Sequence, residues 1–132
     1  MARFDPADLP PEVLAFLADR HLATLTTLRP DGSPHVAPVG FSFDAASGLV
    51  RVITFTASRK VRNVLTCPGS RAVVCQVDGG RWLTLEGTAT VTTDPARNAE
   101  GIRRYAARYR QPKERPDRAT IEISVDTALG RA

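Results

Sequence analysis

The sequence has few of the residues that build disulfide-linked, metal-bound or membrane-embedded proteins. Its two cysteines, Cys67 and Cys75, show no metal-binding or redox spacing, which predicts two reduced thiols. The longest apolar run, 13–18, is far shorter than the roughly 20 residues that cross a bilayer. The N-terminus has no apolar core typical of a secretory signal. We therefore expect a cytoplasmic protein with no membrane partner.

Catalytic signatures are missing as well. The sequence contains no pattern typical of a Ser-His-Asp triad, no His-Glu-x-x-His motif and no paired carboxylates beside a glycine turn. His21 and His35 stand at the starts of predicted strands, where a structural role is expected. We assign no catalytic residue and no metal ligand. Such a chain is typical of proteins that take their chemistry from a bound cofactor.

The residues that are present fit one folded domain. The chain has 132 residues, of which 42% are hydrophobic and 24% are charged, and these values exclude a disordered chain or a fibre. We assign residues 1–132 to a single domain whose core covers about 10–126.

Positive charge is concentrated in one segment. The chain carries a net charge of +4, and the segment 97–118 alone carries +5. Such a segment attracts nucleic acid, a membrane surface or a polyanionic small molecule, or it is simply a solvated helix face. Aromatic residues are not interleaved with these arginines as they are in strand platforms that bind nucleic acid, so we expect no nucleic-acid partner.

Hydrophobic periodicity and turn residues predict a mostly β protein with flanking helices. Because most predicted strands are joined by tight turns, we expect a six-stranded antiparallel sheet closed into a small barrel, with the helices over its ends and one side. The predicted helices are 11–19, about eight residues after Ser58, and 95–110, and the predicted strands are 21–28, 35–43, 49–55, 71–77, 82–92 and 119–126.

A strand that runs into a basic helix start is the most informative local pattern. Ser58 stands at the N-cap, and Arg59 and Lys60 occupy the first turn, where the helix dipole disfavours cations unless an anion binds. Free backbone N–H groups, a hydroxyl and two cations suit a phosphate, although a solvated helix start remains the alternative. Arg51 could add a second clamp, and Asn63 could point the same way.

Three spaced segments then resemble a known family. They are Arg51-Val-Ile-Thr54, Ser58-Arg59-Lys60 and the stretch from Gln76 through Trp82 to Gly87. This ordered set resembles the split β-barrel of the pyridoxamine 5′-phosphate oxidase-like flavin and deazaflavin oxidoreductases, and it is most similar to the deazaflavin-dependent biliverdin reductase branch. The similarity covers about residues 10–126.

The resemblance implies a homodimer with two cofactor sites at the subunit interface. It implies that Val52, Ile53 and Thr54 lie along a tricyclic ring and that Ser58, Arg59 and Lys60 bind phosphate. It also implies that Gln76 and Trp82 approach the cofactor from the partner subunit, although core packing is the alternative for Trp82. Pyridoxamine oxidases proper continue into a segment that binds pyridoxal phosphate, whereas this chain stops at Ala132, so we do not expect that activity.

The implied activity is hydride transfer from coenzyme F420 to a conjugated, carboxylate-bearing acceptor such as biliverdin. Two alternatives stay open: an FMN-binding reductase or oxidase, and a non-catalytic protein that carries the flavin or deazaflavin. The proton donor is left open between solvent, an arginine and a tyrosine.

Overall fold

The computed structural model describes all 132 residues and contains eight strands and three helices. The helices are α1 Pro11–Ala18, α2 Arg59–Thr66 and α3 Pro95–Arg108. The strands are β1 Ala2–Phe4, β2 Ala23–Leu28, β3 Pro34–Val39, β4 Ser42–Asp44, β5 Leu49–Phe55, β6 Arg71–Asp78, β7 Arg81–Thr92 and β8 Arg118–Arg131.

All strand pairs are antiparallel, and the sheet has the order β3-β2-β6-β7-β8-β5-β4, with β1 added beside the end of β8. Its two edge strands, β3 and β4, are separated by only Gly40 and Phe41. Since consecutive Cα atoms are about 3.8 Å apart, this short link forces the sheet to curl until its edges approach each other. The edges are not hydrogen-bonded to each other, so the barrel is split rather than closed.

The break between β3 and β4 corrects the single strand predicted over 35–43. The Phe41 N–H donates to the Tyr109 hydroxyl at 3.2 Å, and the Phe41 carbonyl accepts from Arg108 Nη1 at 2.6 Å. Both backbone groups are thus taken by side chains at the end of α3, and none is left for a strand ladder. Sequence periodicity carries no sign of such a distant partner.

The other differences lie at the ends of elements and of the chain. The short strands β1 and β4 raise the strand count from the expected six to eight. The last strand continues to Arg131 because its second half pairs with both β7 and β1, whereas we expected it to end near Asp126. Helix α3 ends at Arg108, two residues before the predicted end.

The core lies inside the curled sheet. Alternate residues of each strand point inward, as in the fully buried Val50, Val52, Ile121 and Ile123. The opposite face of β8 is buried too, because α3 covers Thr120 and Glu122. Helices α2 and α3 begin at side-chain caps, Ser58 and Asp94. None of the three helices has the length and apolar character needed to cross a membrane.

Candidate functional site

The basic start of α2 has the predicted geometry. Ser58 is buried, and its Oγ accepts the Val61 N–H at 3.4 Å, so it caps the helix. Arg59 is exposed, and Lys60 is half-buried. Burial lowers the pKa of the Lys60 ammonium, because water is removed from the charge. Lys60 belongs to none of the nine ion pairs of the protein, so this loss of hydration is not offset by an acid.

A cavity of about 250 Å³ opens beside Lys60 and joins α2, β5 and α3. Its charged side chains are Lys60 and Arg118, and no acid lines it. The remaining lining is apolar or aromatic, from Pro38, Val39, Gly40, Ile53, Tyr105 and Pro112. A cavity with two cations, no acid and an aromatic wall fits an anionic group attached to a flat ring.

The strand beside this cavity has an open edge. Strand β4 pairs only with Leu49, Val50 and Arg51 of β5, so the segment 52–55 has a sheet neighbour on the β8 side alone. Backbone groups on the free side are available to a ligand, because an unpaired edge presents N–H and C=O groups. Of the three residues expected along a ring, Ile53 lines the cavity, whereas Val52 and Thr54 are buried.

Arg51 is directed away from the cavity. Its guanidinium lies 3.3 Å from Asp44 Oδ2 and 4.0 Å from Glu122 Oε2, in a pocket that leaves 10% of the side chain exposed. Arg51 precedes Ile53 on the same face of β5, and that part of the face is covered by α3. The geometry therefore gives Arg51 a structural partner set in place of the second phosphate clamp that we expected.

Asn63 and Gln76 are also occupied by the protein itself. Asn63 is 1% exposed, and its Nδ2 donates to Thr27 Oγ1 at 3.0 Å, so it points toward β2 and not toward the phosphate-binding turn. Gln76 is fully buried, donates to the Phe16 carbonyl at 2.8 Å and accepts from Arg108 Nη2. Trp82 is partly exposed on β7 and does not line the cavity. The single chain thus brings together Lys60 and Ile53 but neither Gln76 nor Trp82.

Comparison with known proteins agrees with this fold. The family model described as pyridoxamine 5′-phosphate oxidase matches residues 9–131. A protein of Mycobacterium tuberculosis named F420H(2)-dependent biliverdin reductase is 49% identical over 121 residues, which are 92% of this chain and 87% of that protein. The chain belongs to the pyridoxamine 5′-phosphate oxidase family.

Several solved structures share the fold of the chain. The structure of an F420 reductase is 24% identical and superposes with a TM-score of 0.73. The match covers 92% of this chain and 98% of the reductase chain. A conserved hypothetical protein from Mycobacterium tuberculosis is 20% identical and superposes with a TM-score of 0.79. The match covers 99% of this chain and 89% of the mycobacterial chain. General stress protein 26 from Bacillus anthracis is 22% identical and superposes with a TM-score of 0.70. The match covers 91% of this chain and 92% of the stress protein chain. At these identities the likeness establishes the fold alone.

Two cavity residues of this family member were not predicted as site residues. Tyr105 was not singled out within the predicted helix 95–110, and Arg118 was expected only as one of the basic groups of the 97–118 segment. Gly40 explains how Tyr105 comes so near, since a Cβ at position 40 would lie 2.9 Å from Tyr105 Cε2 and 3.0 Å from Tyr109 Cε2. A glycine followed by a phenylalanine inside a predicted strand was the one available signal.

The arginines of α3 are held by carboxylates, carbonyls and an amide of the protein. Arg97 pairs with Glu122, and both Arg103 and Arg104 pair with Glu100. Arg108 is bonded to the Asp19 and Phe41 carbonyls and to the Gln76 amide, with its guanidinium 4.7 Å from the centre of the Phe41 ring. These four arginines are therefore engaged by the protein itself. Arg118, the cation of the 97–118 segment that lines the cavity, lies after α3.

Proposed function

We propose that this protein is a reductase that uses the deazaflavin coenzyme F420 and delivers a hydride to a conjugated, carboxylate-bearing acceptor such as biliverdin. The observation that carries the proposal is the cavity that is lined by both Lys60 and Arg118 and by no acidic residue. The name of the 49% identical relative supports both the cofactor and the acceptor.

The residues around the cavity suit the binding of such a cofactor. Bound there, the reduced deazaflavin supplies the hydride, and the protein supplies its position. Lys60 and Arg59 attract the phosphoryl group, and the half-buried setting of Lys60 strengthens that attraction because water screens the charge less. Ser58 keeps the helix start in place. Ile53 and the free edge of β5 offer an apolar wall and backbone hydrogen-bonding groups along the ring.

The proposal includes a homodimer, because one chain leaves apolar side chains on the outer face of the sheet uncovered. Val36 and Val77 are 57% and 59% exposed. In the strand register, Val36 and Val73 both lie opposite Thr26, and Trp82 lies opposite Val77. These five side chains therefore share the outer face formed by β3, β2, β6 and β7. A second copy on this face would cover it and would bring the Trp82 of one chain near the other. The cytoplasmic location stays a prediction.

Ligand identification and turnover test the proposal together. We expect the purified protein to bind coenzyme F420 in a fluorescence titration and to oxidise its reduced form when biliverdin is added. Copurification of yellow FMN, with no affinity for the deazaflavin, would instead identify a flavin reductase or oxidase. If the protein binds F420 tightly but no acceptor of a panel oxidises the reduced cofactor, the protein would be a non-catalytic carrier of F420.

A further inference from the structure

A second, larger cavity lies beside the cavity of Lys60. It has a volume of about 660 Å³, within the usual range of small-molecule sites, and it is bounded by Ile102, the loop 111–116 and Arg118. Pro112 and Arg118 line both cavities, so the two are neighbours that share one wall.

Arg118, at the start of β8, and Lys113, in the loop, bring positive charge that lies in no ion pair to this second cavity. Arg118 donates to two carbonyls, Thr54 O at 3.3 Å and Lys113 O at 2.7 Å, and its Nε is buried without a partner. Carbonyls satisfy its N–H groups but do not neutralise its charge. Lys113 belongs to no ion pair.

The other charged groups of the lining offset at most one of these two cations. Arg115 is neutralised by Asp117, at 2.8 Å and 3.0 Å, and its guanidinium lies over the Phe55 ring. Glu114 is the only acid that lines the cavity. The balance is an excess of positive charge around an open volume.

We propose that this second cavity is a carboxylate-binding subsite, in which Lys113 and Arg118 receive carboxylates either of the cofactor that occupies the Lys60 cavity or of the acceptor that lies beside it. The inference rests on the proposed function and adds a second anion site to it. Two ligands there carry such carboxylates: coenzyme F420, through its oligoglutamate tail, and a linear tetrapyrrole acceptor, through its two propionates. An ammonium and a guanidinium both form charge-assisted hydrogen bonds with a carboxylate.

Charge variants of the loop test the subsite with binding as the readout. We compare wild type with Lys113→Ala, which removes a cation, and with Glu114→Gln, which removes the acid. Arg3→Ala is the matched control, because Arg3 is an exposed cation on β1 that lines neither cavity. Each protein is titrated with F420 that carries its glutamate tail and with the phosphorylated deazaflavin that lacks glutamates. The KM is measured for biliverdin and for its dimethyl ester.

If the tail occupies the subsite, Lys113→Ala weakens binding of the tailed cofactor by about tenfold, the effect of one lost charge-assisted hydrogen bond, and leaves the tail-free form unchanged. Glu114→Gln then tightens binding of the tailed form. If the acceptor occupies it, Lys113→Ala raises the KM of biliverdin but not of its ester, and the affinities of both cofactor forms stay constant.

Two results overturn the subsite. One is an unchanged response to all four ligands in both loop variants, and the other is an equal change for ligands with and without carboxylates. If wild type binds neither form of the cofactor, the proposed function fails and the subsite with it. If wild type binds and turns over normally while the loop variants behave like Arg3→Ala, the subsite alone fails.

Discussion

At the scale of single residues, Lys60 is the strongest mark of function. A lysine that is half-buried with no acid beside it destabilises the folded chain, because burial removes water from its charge. At neutral pH the amine is protonated, so this cost is present in full. It decreases only as pH rises from the lowered pKa of Lys60 toward the usual lysine value of 10.5. Proteins keep such groups where they act on a ligand.

Replacing this charge should therefore separate stability from binding. We expect Lys60→Met to weaken binding of F420 by about 1.5–3 kcal/mol, the range of a hydrogen bond to a charged group. The melting temperature of the ligand-free protein should stay the same or rise, since the desolvated charge is gone. Fluorescence titration and thermal denaturation measure the two effects.

Arg62→Met supplies the control, because Arg62 is an exposed cation of the same helix outside the cavity. It should change neither quantity. A lower melting temperature for Lys60→Met with unchanged affinity would assign Lys60 to the fold and remove it from the site.

At the scale of elements, the link between β3 and β4 depends on α3 and the tyrosine that follows it. Tyr109 donates its hydroxyl to the His21 carbonyl at 2.6 Å and accepts from the Phe41 N–H, so it ties the β3–β4 link and the segment before β2 to the helix end. Tyr105 packs on Tyr109 with ring centres 5.0 Å apart. Both rings lie against Gly40, where a side chain has no room.

A methyl group at this link should therefore disturb both the fold and the cavity. We expect Gly40→Ala to lower the free energy of unfolding by about 1–3 kcal/mol, because the two rings must move to admit the new Cβ. Denaturant titration measures this, and affinity for F420 should fall as well. Gly80→Ala is the comparison, since a Cβ at that position would have no neighbouring atom within 4 Å. Equal effects of the two substitutions would show that the tyrosines do not press on the link.

The ion pairs of α3 make a further prediction at this scale. Hydrogen bonds from Arg103 and Arg104 hold the pKa of Glu100 at about 2, well below its usual 4.5. A carboxyl with a lowered pKa stabilises the folded state above its unfolded value, and that contribution is lost as pH falls from about 4.5 to about 2.

Thermal denaturation across this range should show a declining melting temperature, and Glu100→Gln should decline less steeply. Because the pairs are partly exposed, added salt should also reduce the difference between wild type and the variant. Parallel pH profiles for the two proteins would contradict a stabilising role of Glu100.

At the scale of the whole molecule, the proposed homodimer would complete the site through the outer face of the sheet. Gln76 and Trp82 were expected to approach a cofactor from a second subunit, and neither lines the cavity of its own chain. Gln76 is instead enclosed between α1 and α3 and hydrogen-bonded to both, so its side chain is less accessible to a second subunit than that of Trp82. Trp82 stays available on the uncovered face.

We expect light scattering after size-exclusion chromatography to give twice the mass of one chain. Val77→Asp should lower that mass toward a monomer, because a charge would be buried between the copies. Leu65→Asp on α2 is matched in exposure, 61% against 59%, and should leave the mass unchanged. A wild type that runs as a monomer with F420 bound would contradict the dimer.

The sequence alone determined the three helices, most of the strands and the basic helix start. Strand β5 and the cap of α2 follow from alternation and from a serine before a polar turn, signals that lie within a few residues of the structure they produce. The ordered motifs also carried the family. Only the tertiary structure decided which charges are paired, because Arg51 and Arg97 meet Glu122, which is distant from both in the chain. It alone placed Tyr105 and Arg118 beside Lys60, since a curled sheet brings together residues that no sequence period relates.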